Sequence, residues 1–394
     1  MEYDFDRIVE RRGTGSFKWD TNQERFGRDD LIPFWVADMD FASPQPVTEA
    51  MKRRLEHPVY GYSARDDDYF SAVTGWLSSR HNWQVKREWL AFSPPGVIQA
   101  IHILINILTR PGDSVVVQTP AYSPLLNVVT GNGRVLVKNS LKESGGRYMI
   151  DFDDLEEKID SAVSPSLLLF CSPHNPSGRV WDREELVRLS AICSKRDIFV
   201  ISDEIHADFV FPGKSHLPYG SLSDEALQKS ITCISASKTF NISGLQLATL
   251  VIADAEIRER YEKAVDVAQL NLDNIFGEVA LKAAYTECEE WLDHLLVYLK
   301  GNLDMLTAFI SEHLPAVKVN RPEGTYLVWL DFRALGLSSA EINRLLVERA
   351  GVALYEGREF GEDRDGFFRM NIACPRPLLK EGLTRIGEAL SGYL

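Results

Sequence analysis

A lysine stands on a short polar turn directly after an apolar run in Ser235-Ala236-Ser237-Lys238-Thr239-Phe240-Asn241. An amine at the end of a buried strand lies where open α/β sheets bind ligands, although the same pattern alone also describes a surface lysine. Thirty-five residues earlier, Ile198 to Ser202 delivers Asp203-Glu204-Ile205-His206 at the end of another apolar run. A carboxylate there pairs with a protonated ring nitrogen or caps a helix, and His206, three residues on, faces the same side. Leu167 to Cys171 leads into Ser172-Pro173-His174-Asn175-Pro176-Ser177-Gly178, a loop that either presents the Asn175 amide to the sheet edge or is an ordinary turn. Pro94-Pro95-Gly96-Val97-Ile98-Gln99-Ala100 opens an apolar helix, and free N–H groups at such a point suit a phosphate. Tyr122, in Thr119-Pro120-Ala121-Tyr122, adds a ring at the same edge or packs in the core. Arg369 interrupts the apolar strand Phe367-Phe368-Arg369-Met370-Asn371-Ile372. A buried guanidinium calls for a carboxylate, supplied by a structural Asp or Glu or by a substrate.

These residues need a scaffold. From Pro94 to Ile252 short apolar runs alternate with amphipathic segments, the pattern of a mainly parallel sheet flanked by helices. The expected strands are Ser114 to Gln118, Leu167 to Cys171, Ile198 to Ser202, Ile231 to Ser235 and Ala248 to Ile252. The expected helices include Pro95 to Thr109 and Arg183 to Lys195. Between Ala255 and His313 Gly and Pro nearly vanish, which predicts long helices. Beyond Pro315, strands at Val317 to Asn320, Tyr326 to Asp331, Val352 to Tyr355 and Phe367 to Ile372 alternate with helical runs Ser339 to Glu348 and Leu378 to Leu390, as in a smaller α+β domain. The division expected is an N-terminal segment 1–45 packing on the small domain, a large domain 46–285 and a small domain 286–394.

With 394 residues, 45% hydrophobic and 25% charged, the chain is long enough for two domains and has the composition of a folded globular protein. A net charge of −14 argues against non-specific nucleic-acid or anionic-membrane binding while leaving room for a local basic pocket. The start lacks the basic and apolar regions of a signal peptide, so a cytoplasmic protein is expected, with neither membrane nor nucleic acid as partner. The five cysteines, Cys171, Cys193, Cys233, Cys288 and Cys374, form no CxxC pair and suggest neither a disulfide framework nor a metal site.

Taken in order and spacing, Gly96-Val97, Tyr122, Asn175-Pro176, Asp203, Ser235-x-x-Lys238 and Arg369 resemble fold type I pyridoxal-phosphate enzymes of the aspartate aminotransferase superfamily. The resemblance covers essentially the whole chain. Within that superfamily, Trp35-Val36-Ala37-Asp38-Met39-Asp40-Phe41 and the loops around Asn175, Asp203 and Lys238 are similar to the MalY/PatB branch of C-S lyases. The resemblance implies an α/β fold with a seven-stranded, mainly parallel sheet and a smaller α+β domain. It also implies pyridoxal 5'-phosphate linked to Lys238, its ring nitrogen facing Asp203, its phenolate side facing Asn175 and His206, and Tyr122 stacked on the ring. Gly96, Val97, Ile98, Ser235, Ser237 and Tyr62 of a second copy of the chain would hold the phosphate. Arg369 would grip the substrate carboxylate, with Ala37, Asn175 and Tyr62 also lining the substrate site. The implied reaction is α,β-elimination from L-cystathionine and related cysteine S-conjugates by a homodimer. Class I/II transamination is the alternative, distinguished by whether pyruvate forms without a keto-acid acceptor. A non-catalytic regulator is disfavoured by the intact Lys238, Asp203 and Arg369. Two positions depart from ordinary aminotransferases: His206 stands where they usually have tyrosine, and Gln246 where many have a phosphate-binding arginine.

Overall fold

The computed structural model describes residues 3–393. Seven strands form the central sheet in the order Leu90–Ser93, Ala248–Val251, Ser230–Ile234, Phe199–Asp203, Pro165–Cys171, Ser114–Thr119, Val135–Ser140. Ala248–Val251 is antiparallel to both neighbours, and the other pairings are parallel. Leu90–Ser93 thus runs in the same direction as the parallel strands. All six of these strands end at one edge of the sheet.

The strands read as continuous apolar runs because both faces are covered. Val115, Val117, Leu167 and Leu169 pack on one side with Ala100, Ile101 and Leu104 of the helix Val97–Leu108. Their sequence neighbours Val116, Leu168 and Phe170 point to the other side, against Leu155, Ile159, Leu186 and Leu189. The last two belong to Arg183–Lys195, whose start is fixed by a capping box between Asp182 and Glu185.

Three helices, Ala255–Val267, Ile275–Glu287 and Glu289–His313, fill the Gly- and Pro-poor stretch. They lead to a four-stranded antiparallel sheet in the order Lys318–Asn320, Leu327–Asp331, Phe367–Asn371, Tyr355–Glu356. The single strand expected from Val352 to Tyr355 is two. Val352–Ala353 pairs in parallel with Ile32–Pro33, whereas Tyr355–Glu356 pairs with Phe367–Asn371. The break lets one short segment serve two sheets. The helix begun at Ser339 continues past Arg344 through a wider π turn to Ala350.

The N-terminal segment docks on this second sheet through main-chain bonds. Phe34 donates to the Ala353 carbonyl at 2.8 Å, Asn371 donates to the Phe34 carbonyl at 2.8 Å, and Asp40 donates to the Ala373 carbonyl at 2.9 Å. Lys18, fully buried, fixes the same segment by an ion pair of 2.6 Å with Asp40. The Asp40 carboxylate also accepts from Trp19 Nε1 at 2.9 Å and Arg11 Nη1 at 2.7 Å. Gly382, on the helix Arg376–Leu390, meets the Phe34 ring so closely that no Cβ fits between them. Trp35 to Phe41 is thereby carried from the second sheet across to the ends of the central strands.

All five cysteines are free and buried. Among the described residues no helix is long and apolar enough to cross a membrane.

Candidate active site

Five of the six co-directional strands deliver a candidate residue at their ends. Ser93 leads to Gly96, Thr119 to Tyr122, Cys171 to Asn175, Asp203 ends its strand, and Ile234 leads to Ser235 and Lys238. The ends of parallel strands are where an α/β sheet opens a crevice for a ligand.

Ser235 caps the short helix Ala236–Thr239: its hydroxyl donates to the Leu247 carbonyl at 2.5 Å and accepts from the Ser237 N–H at 3.0 Å. In this structure the hydroxyl proton shapes the turn. The Ser237 hydroxyl makes no hydrogen bond among the described residues. Asn241 adopts a left-handed backbone (φ 56°) and staples the turn to the incoming segment, donating to the Met39 carbonyl at 3.0 Å and the Phe41 carbonyl at 2.8 Å.

This staple brings Ala37 to the lysine. Lys238 Nζ donates to the Ala37 carbonyl at 2.8 Å, and the Tyr326 hydroxyl donates to the same oxygen at 3.1 Å. Burial lowers the Lys238 ammonium to about 8. The Asp38 carboxylate opposes the shift, the Arg369 cation adds to it and Asp203 opposes it. The Asp203 carboxyl is buried and raised to about 6, chiefly by desolvation. Asp203 is no helix cap. It accepts one hydrogen bond, from the Ile205 N–H at 3.2 Å, within a turn that no helix follows. His206 is buried edge-on to Tyr326, with ring centroids 5.8 Å apart, and its Nδ1 has no partner. Burial, with the Lys238 and Arg369 cations, lowers this imidazole to about 3 and keeps it neutral.

Arg369 is 2% exposed and touches no carboxylate. Its Nη1 donates to Asn175 Oδ1 at 3.1 Å, its Nη2 to the Trp35 carbonyl at 2.8 Å, and its Nε is unpartnered. The rings of Tyr355 and Phe360 each lie 5.0 Å from its Cζ. Among the described residues no Asp or Glu pairs with this buried guanidinium. Burial lowers Arg369 to about 10, with Tyr122, Tyr355 and Tyr326 opposing. Burial also raises the Tyr122 phenol, which keeps its proton at neutral pH.

At the other end of the crevice Gly96 takes φ 113° as the cap of Val97–Leu108. The N–H groups of Val97, Ile98 and Gln99 donate no hydrogen bond, leaving a nest of three donors at the positive end of the helix. Gln246 is exposed in a left-handed conformation (φ 50°). Tyr62 is 91% exposed and packs against nothing in its own chain. Among the described residues no hydrogen bond or ring contact joins it to the residues gathered around Lys238.

Several residues escaped the sequence reading of the site. Tyr326 and Tyr355 lie on small-domain strands or their edges, and only the fold brings them to Arg369. Asn371 offered a signal: two residues after Arg369 it shares that strand face, and its amide donates to the Val36 and Asp38 carbonyls, both at 2.6 Å. Thr239 donates to Asp208 Oδ2 at 2.5 Å, and Asp208 in turn holds His81 at 2.9 Å, anchoring the lysine turn from below.

Residues 29–386 match the model of the family "Aminotransferase class I and II". The chain belongs to this family. It is 44% identical, over 98% of its length and all of the relative's, to cystathionine beta-lyase PatB of Bacillus subtilis (strain 168). The crystal structure of cystalysin from Treponema denticola, which contains a pyridoxal 5'-phosphate cofactor, aligns with a TM-score of 0.96 at 35% identity over 100% of both chains. The PLP-bound C-S lyase from Staphylococcus hominis aligns with a TM-score of 0.92 at 32% identity, over 99% of this chain and 98% of the other.

The open groups fit pyridoxal 5'-phosphate. The nest at Val97, Ile98 and Gln99 suits a phosphate, the unspent oxygen of Asp203 a protonated pyridine nitrogen, and the Lys238 amine the aldehyde.

Proposed function

We propose that this chain is a pyridoxal-phosphate-dependent carbon-sulfur lyase. It removes the β-thiol from L-cystathionine and related cysteine S-conjugates, yielding the thiol, pyruvate and ammonia. The observation that carries this reading is the buried Arg369, a cation with no acidic partner among the described residues, gathered with Lys238 around one crevice. An unpaired buried charge is costly, and the α-carboxylate of an amino acid relieves it through a bidentate pair. The relatives that are carbon-sulfur lyases support the choice of reaction.

When bound, pyridoxal phosphate supplies an electron sink for the pair left on Cα. Lys238 holds the group and then takes the Cα proton. An amine lowered to about 8 is poised near neutral pH for that transfer. Asp203, as a carboxylate, keeps the ring nitrogen protonated. His206, neutral, and Asn175 serve as hydrogen-bond partners on the phenolate side, while Asn175 also orients Arg369. Tyr122 would cover one face of the ring. With the Cα proton on Lys238, the Cβ–S bond breaks and its electrons leave with sulfur as a thiolate. The three-carbon fragment hydrolyses to pyruvate and ammonia.

Exposed Tyr62 finds its role across a two-fold homodimer, completing the partner's phosphate site where Gln246 supplies no charge. The division into segments 1–45, 46–285 and 286–394 and a cytoplasmic location belong to the same reading.

Incubating the purified holoenzyme with a panel of thioether amino acids, without any keto acid, tests it. Thiol and pyruvate are expected in equal amounts. Turnover only after a keto acid is added would make the protein an aminotransferase.

A further inference from the structure

We propose that Arg25 is an outer specificity residue that reads a carboxylate on the leaving-group side of the substrate. The inference rests on the lyase reading and concerns which thioethers the site prefers.

Arg25 lies on the short N-terminal helix Asn22–Phe26 and is exposed. Its Cζ stands 4.4 Å from the centroid of the Trp35 ring and 5.6 Å from that of Tyr355. The same two residues hold the inner cation: the Trp35 carbonyl accepts from Arg369 Nη2 at 2.8 Å, and the Tyr355 ring lies 5.0 Å from Arg369 Cζ. The Tyr355 ring therefore lies beside both guanidinium groups, one buried and one at the surface, while Trp35 gives its ring to Arg25 and its main-chain carbonyl to Arg369. The Phe26 ring packs edge-on against Trp35 at 5.7 Å and steadies that ring.

Neither cation is neutralised. Among the described residues no carboxylate lies within ion-pair distance of Arg25 or Arg369, although the chain carries 57 acidic residues. Other exposed arginines, such as Arg53 and Arg183, also lack an ion pair among the described residues; what sets Arg25 apart is its place over Trp35 and beside Tyr355, the ring that also faces Arg369. A guanidinium stacked on rings is already ordered, so little further freedom is lost when it receives a planar carboxylate. The two guanidinium carbons are separated by no more than their distances to the Tyr355 ring laid end to end. A thioether amino acid with carboxylates at both ends is long enough to bring a charge to each of two cations within that bound. With its α-carboxylate on Arg369, the second charge falls on the sulfur side, towards Arg25.

The test compares two substrates of the holoenzyme, S-(2-carboxyethyl)-L-cysteine and S-propyl-L-cysteine, which differ in the terminal charge. In Arg25→Gln the ratio of their kcat/KM values should fall roughly 1.5- to fivefold, the range of an exposed ion pair, with the change in KM. For the unaltered enzyme the ratio should also fall as salt is added, whereas in Arg25→Gln it should be flat. Calorimetric titration with L-2-aminopimelate and L-2-aminoheptanoate, which have no leaving group, gives an independent readout. Preference for the dicarboxylate should weaken in Arg25→Gln. An unchanged ratio, or a salt dependence that persists in the variant, would overturn the assignment. If the enzyme cleaves neither thioether, the lyase reading fails, and the calorimetric comparison still decides the role of Arg25.

Discussion

Replacing Asp203 by Asn should have opposite consequences in the cofactor-free and cofactor-bound protein. In the cofactor-free chain the carboxyl is desolvated and titrates near 6 instead of 3.8. The unfolded chain then releases this proton first as the pH rises. The stability contributed by the neutral acid is complete below about 4 and is lost as the pH climbs through about 6. At 1.36 kcal/mol per pH unit, the ionised carboxylate costs about 3 kcal/mol at neutral pH relative to a neutral side chain. Asp203→Asn has no such charge. Denaturant unfolding of the two cofactor-free proteins at equal concentration should give similar stabilities at pH 4, with the variant gaining up to that amount by pH 7. On the proposed reading the same carboxylate would face the ring nitrogen in the holoenzyme, so the variant should lose turnover by orders of magnitude while keeping its fold. Parallel pH profiles for the two cofactor-free proteins would refute the desolvation argument, and near-normal turnover would refute the pairing with the ring.

Arg369→Lys keeps the charge but loses the planar fork, so kcat/KM for amino acids should drop about 10- to 100-fold, as expected for one or two charge-assisted bonds, with the cofactor absorbance unchanged. Loss of the cofactor instead would place Arg369 on the phosphate. Tyr62→Phe should weaken cofactor retention in equilibrium dialysis, and mixing it with Lys238→Ala under subunit exchange should restore activity in hybrid dimers. Full activity of Tyr62→Phe, or of a monomer, would contradict a shared site. His206→Tyr introduces a larger phenol beside the buried Tyr326, and overpacking there should lower the unfolding free energy by about 1–3 kcal/mol, with the midpoint falling accordingly. An unchanged midpoint would mean that the pocket has spare room.

The strands carrying Tyr122, Asn175, Asp203 and Lys238 were legible because each is an apolar run buried on both faces and ends in polar turn residues. Leu90–Ser93 and Val135–Ser140 were not. Both are outer strands: the brief apolar run of the first ends in Ser93-Pro94-Pro95, and the second exposes Val135, Lys138 and Ser140, so its apolar run stops at Val137. The residues at the strand ends were found for the same reason that the strands were. Tyr326 and Tyr355 were hidden because they reach the site through pairings hundreds of residues apart, such as Tyr326 to Ala37. That Arg369 lacks an acidic partner is likewise a property of packing: the sequence offers many carboxylates, and the fold takes them elsewhere.

Reduction of the purified holoenzyme with borohydride, followed by peptide mapping, tests most directly whether the constellation around Lys238 performs the chemistry. Lys238 is the amine at the crevice, lowered to about 8 and held by the Ala37 carbonyl. A pyridoxyl adduct on the peptide containing Lys238, and no turnover in Lys238→Ala, is the result expected. An adduct on any other lysine would contradict the site.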